Sequence, residues 1–222
     1  MKLGKNDPHT RVKGDALYSL STYFSDDKDI VPVLTANVSN ESYYVAGSAL
    51  SGLAEADKTE ALKYAKQYES ETNLDLINAV AEVYEVHGGV EQHEFFKKKY
   101  YELDGYGKYS FVHSYGNYLK KQPNEVISEA IPVLKDISLN EKAWWMRMTG
   151  INVVVELENQ SVQKINDYNK SLKSLKSDSP EAVDLNSKIE ATTAVDNKLM
   201  ELIETIRSSE TNPRLKRMLG IK

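Results

Sequence analysis

Polar residues recur along this chain in steps of three and four. Between Asn73 and His87 they fall at Asp75, Asn78, Glu82 and Glu85. Those steps draw a narrow stripe down a helix of 3.6 residues per turn. Leu74, Leu76, Ile77, Val80, Val83, Tyr84 and Val86 cover the rest of the surface. A helix with so wide an apolar face needs neighbours on several sides.

The chain supplies those neighbours by repetition. Ala16, Leu17 and Leu20 fall on Ala49, Leu50 and Leu53, thirty-three positions later. The polar places follow, with Asp15 on Ser48, Ser19 on Gly52 and Thr22 on Glu55. Thirty positions further on come Asn78, Glu82 and Glu85. A looser fourth copy spans Lys108 to Lys121, and Glu141 to Val155 reads as a fifth inner helix. Each copy has a partner. Pro32 opens a short helix over Ile30 to Leu34, Asp57-Lys58-Thr59-Glu60 caps a helix after the second copy, and Glu91 to Leu103 follows the third. Glu125 to Ile137, with a kink expected at Pro132, follows the fourth. Asp7-Pro8 reads as the cap and first position of the opening helix, and Gly88-Gly89 as a C-cap turn.

Helix pairs with a period of roughly 30 to 36 residues predict an all-α fold, a HEAT-like α-α superhelix of about five helix pairs. A single bundle would not need the same stripe at near-constant spacing. No Gly or Pro interrupts the chain from Ile151 to Ser177, and Ser179-Pro180-Glu181 caps another long helix. These two helices read as an antiparallel hairpin closing the repeats. The expected division is residues 1–157 as repeats, with 158–222 as the hairpin and a basic tail, RLKRMLGIK, packed on the last repeat, the whole forming one structural domain. The end of that tail reads as free to fray, the alternative being contact with an acidic partner surface.

Composition narrows the chemistry. The 222 residues carry 28 basic and 33 acidic side chains, a formal charge of −5, which argues against the concentrated basic face of a nucleic-acid binder. Without cysteine, disulfides and thiolate metal sites are impossible. No apolar run is long enough for a membrane span, and the first residues lack the apolar core of a signal peptide. A soluble chain with no targeting segment is therefore expected, with neither nucleic acid nor membrane as partner. Its compartment is not legible.

No catalytic motif emerges. His93-Glu94 lacks the second histidine of HExxH, and no serine lies in G-x-S-x-G. The histidines are expected at the surface or as caps, with no metal and no catalytic residue in this chain. Two groups stand out for binding. The stripe Asp75, Asn78, Glu82 and Glu85 is either the wet side of a helix or the lining of a concave face. Tyr100, Tyr101, Tyr106, Tyr109 and Tyr118 belong to a tyrosine-rich stretch of the kind enriched at interfaces.

The segments RVKGDALYSLSTYF and YYVAGSALSGLAEAD resemble HEAT-like repeats, in particular the C-terminal helical domain of bacterial M1-family zinc aminopeptidases. The resemblance covers roughly residues 7 to 157. It implies a non-catalytic scaffold domain that packs on a separate metallopeptidase domain and shapes substrate access. Zinc would belong to that catalytic domain, so this chain is expected to hold no cofactor and to show no activity alone. Its partner would be that catalytic domain of the same parent chain. An independent protein–protein interaction adaptor is the alternative. No residue here matches a known functional position of the family.

Overall fold

The structure, a computed structural model, describes residues 1–221. Among them it shows twelve α-helices and no strand. The fold is all-α, as the sequence period requires. The chain divides after Tyr118 into two compact units.

The N-terminal unit contains α1 (Lys2–Asn6), α2 (Thr10–Phe24), α3 (Ile30–Thr35), α4 (Tyr43–Ala56), α5 (Lys58–Tyr68), α6 (Leu74–His87), a 3-10 turn (Val90–Gln92), α7 (His93–Glu102) and nearly all of α8 (Gly107–Leu119). α4 lies in the middle. It packs on α2, α3, α5 and α6. Leu17, Leu34, Leu50, Leu53 and Val80 are fully buried where these helices meet. Each such side chain contributes about 1.5–3 kcal/mol through its removal from water.

An aromatic core joins α6, α7 and α8. The Tyr84 ring meets the edge of Phe95 at 5.3 Å, and Phe96 sits 5.0 Å from Tyr115 and 4.7 Å from Tyr118. Lys99 is buried beside this core. Its ammonium donates to the Glu71 carbonyl at 2.8 Å and pairs with Glu102 at 2.9 Å.

The C-terminal unit contains α9 (Asn124–Asn140), α10 (Trp144–Leu172), α11 (Pro180–Ser209) and α12 (Pro213–Met218). α9, α10 and α11 pack on one another in all three pairings. Asn124 donates to the Thr192 hydroxyl at 3.0 Å, and Gln160 to the Lys120 carbonyl at 2.8 Å. Asp196 is buried with Oδ1 unpartnered, and burial holds its carboxyl above the usual range. Burial is uneven along the long helices. On α10 it stops at Ser161, and on α11, apart from Ala182, it starts at Thr192.

Several boundaries differ from the sequence reading. The opening helix starts at Thr10 with His9 as its cap residue, and a short helix precedes it. Asp7 ends that first helix, and its carboxylate accepts the His9 N–H at 2.9 Å, closing a turn. Val12, in the first turn of α2, is 41% exposed. Gly88 follows α6 with φ −66°, so it is no left-handed cap. It is needed for closeness, because a Cβ there would lie 2.6 Å from the Tyr84 carbonyl oxygen. The expected boundary at 157/158 falls inside α10, a single helix of 29 residues, because no Gly or Pro interrupts it there. The helical hairpin itself forms, and the Ser179 hydroxyl caps α11 by accepting the Ala182 N–H at 3.2 Å.

Residues 213–218 of the basic tail form α12, where fraying was one reading of the end. Leu215 is fully buried, the Arg147–Glu210 pair lies just before α12 at 3.1 Å, and Arg214 stands 5.5 Å from the Trp144 ring. The sequence reading missed these anchors because each joins residues some sixty or more positions apart.

Glycines set the closeness of α4 to its neighbours. A Cβ on Gly47 would lie 2.8 Å from the Asp75 carbonyl oxygen, a backbone atom that cannot swing aside. Helix propensity favours Ala over Gly by about 1 kcal/mol, whereas overpacking costs about 1–3 kcal/mol. Gly47→Ala is therefore expected to destabilise by up to about 2 kcal/mol. A urea melt followed by circular dichroism checks this, and a variant more stable than the wild type contradicts the close approach.

Candidate binding face of the N-terminal unit

The repeat offsets bring equivalent polar residues together. Asp15 of α2, Ser48 of α4 and Asn78 of α6 line one hollow of about 320 Å³. Thr22, Glu55 and Glu85, equivalent positions one to two turns further along the same helices, line a second of about 370 Å³. Each volume is in the range of ligand-holding clefts. The two hollows share Tyr18, Ser51 and Glu82, so they adjoin along the helices. Asp75 lines the first, so all four residues of the α6 stripe face this trough. The middle positions of the alignment do not all join it. Ser19 is exposed elsewhere, and Gly52 is buried against Leu34. Tyr18 and Ser51, one residue earlier in each case, take their place.

Hydrogen bonds fix several of these groups. The Tyr44 hydroxyl donates to Asp15 Oδ1, and that bond, more than burial, raises the Tyr44 hydroxyl above its usual range. Burial pushes the Glu82 carboxyl up, and the charge of Glu85 adds to the rise. A hydrogen bond from Ser51 opposes it. Glu85 accepts from Asn117 Nδ2 of α8 at 2.8 Å. Asn78 Oδ1 is buried with no hydrogen-bond partner. Carboxylates and hydroxyls dominate the polar lining, and no Lys, Arg or His is among the residues of either hollow.

The tyrosine group divides. Tyr100 and Tyr118 are core residues, contrary to the interface role read for them. Tyr118 packs on Phe96 and donates to the Gly89 carbonyl at 2.7 Å, while Lys108 Nζ stands 3.9 Å above the Tyr100 ring. Tyr101, Tyr106 and Tyr109 remain outside, at 62%, 83% and 44% exposure. A run of tyrosines carries no helical phase by itself, which is why the sequence could not sort them.

His93 departs from the surface or capping role expected of the histidines, whereas His87 takes a capping one on the last turn of α4. His93 is buried, with Nε2 2.8 Å from the Tyr115 hydroxyl and its ring stacked on Tyr115. His87 Nε2 donates to the Ala54 carbonyl at 2.6 Å, tying the end of α6 to α4. Tyr18, Tyr44 and Ser51 were missed as lining residues. For Asp15, Ser48 and Glu55 the signal was present in the alignment itself.

No protein-family model matches this chain, and no curated protein matches it in sequence. Among the described residues no helix is long and apolar enough to cross a membrane.

Because Glu82 is held above its usual range, the fold binds its proton more tightly than the unfolded chain does. That contribution to stability is complete below the unfolded-state pKa and is lost as pH rises through the folded-state value. Glu82→Gln, which cannot ionise, is expected to lose less stability than the wild type between about pH 4 and about pH 7. Urea midpoints at both pH values check the sign. Among the tyrosines, Tyr118→Ala is expected to cost about 3–5 kcal/mol and Tyr106→Ala under about 0.5 kcal/mol. Equal costs in the same melts would contradict the division of the group.

Proposed function

We propose that this chain is a HEAT-like α-α superhelical scaffold, the non-catalytic C-terminal domain of an M1-type metallo-aminopeptidase. In this reading it packs on the zinc-bearing catalytic domain and shapes the path of substrate to the metal. The observation that carries the scaffold reading is the meeting of equivalent positions. Asp15, Ser48 and Asn78 line one hollow and Thr22, Glu55 and Glu85 the next, as helix pairs repeating along a common axis require. The assignment to the peptidase rests on the resemblance of RVKGDALYSLSTYF and YYVAGSALSGLAEAD to that family's repeats.

A second reading is an independent adaptor that binds a protein partner. The exposed tyrosines Tyr101, Tyr106 and Tyr109 favour it, since aromatic rings with one wet end are enriched at interfaces.

The gene upstream of residue 1 separates the two. An open reading frame encoding HExxH and a distant glutamate supports the peptidase domain. A stop codon directly upstream overturns it in favour of the adaptor. The purified chain, with and without added zinc, is expected to release no product from aminoacyl-nitroanilide substrates, and turnover by this chain alone would refute a purely scaffolding role.

A further inference from the structure

The trough on α2, α4 and α6 has a length, a charge and an open rim. From Asp75 to Val86 its floor follows α6 for eleven residues, about 16 Å at the helical rise. An extended polypeptide covers that distance in about five residues. Carboxylates stand along it at Asp75, Glu82 and Glu85, with Asp15 and Glu55 facing them from α2 and α4. The charge of Arg11 is felt at the Tyr44 hydroxyl, at one end of this face. Tyr18 and Tyr44 are exposed along the rim, where their ring faces suit ammonium and guanidinium groups. Asn78 Oδ1, a further acceptor in the lining, receives no hydrogen bond.

We infer that this face of the N-terminal unit docks an extended polypeptide segment presenting lysine or arginine side chains. The inference rests on the scaffold reading and names the chemistry of its partner. Acceptors set along some 16 Å suit several cationic side chains on one strand better than a single compact ion. Side chains two residues apart on an extended strand lie about 7 Å apart on one face. Side chains four residues apart, about 13 Å along the strand, therefore match the distance from Asp75 to the Glu82–Glu85 end. Tyrosine rims and carboxylates together favour arginine, whose planar group both stacks and forks onto carboxylates.

Fluorescein-labelled deca-arginine and deca-lysine, with deca-glutamate as control, test this by anisotropy on the full chain at about 50 and about 200 mM salt. Both cationic peptides are expected to bind, more weakly at the higher salt. Asp75→Asn with Glu85→Gln is expected to weaken binding about tenfold. Glu181→Gln with Glu190→Gln on α11 removes the same charge elsewhere and is expected to change it less than about twofold. Amide shifts of the wild-type chain on adding deca-arginine are expected on α2, α4 and α6, which reads the site without any variant. Equal weakening by both double variants, shifts centred elsewhere, or no binding at all would each overturn the proposal. None of these would touch the scaffold role, which the turnover assay tests, or the choice between peptidase domain and adaptor, which the upstream gene decides.

Discussion

The backbone of α4 at Gly47 lies against the Asp75 carbonyl at the start of α6, and that of α2 at Gly14 lies under the Tyr44 ring of α4. Closeness of this kind is available only where a side chain is missing. It brings three helices near enough that the residues flanking each glycine share one surface. Leu50, Leu53 and Val80 then close the apolar side, while Ser48, Ser51, Asn78 and Glu82 are left on the other. The core and the polar trough are two sides of the same packing.

That coupling explains the electrostatics of the trough. Glu82 is shared by the two hollows and covered by its neighbours, so it loses water and its carboxyl is held up. Asp75, near the helix start, stays exposed. One stripe on one helix thus offers carboxylates in different environments, set by how far the neighbouring side chains cover each.

Helix existence and phase were legible in the sequence because the apolar faces of α4 and α6 repeat in steps of three and four. The offset that aligned Leu17 with Leu50 also placed Asp15 beside Ser48, so half of the candidate face was readable too. What could not be read was whatever depends on distant partners. Tyr118 is inside because α7 carries Phe96 to it, and α12 is ordered because Glu210, just before it, meets Arg147. Helix ends were blurred for a local reason. Asp7 has a capping side chain but spends it on a turn.

The outer halves of α10 and α11 form a hairpin with few apolar anchors, since burial on α10 ends at Ser161 and on α11 resumes only at Thr192 apart from Ala182. Roughly 16 Å of paired helix therefore extends past the last well-buried residue of α10. Backbone bonds in such a tip are held by little besides one another. This arm is where amide hydrogens should trade with solvent first, and where a protease should find its earliest cut, while the helix roots beside α9 stay closed.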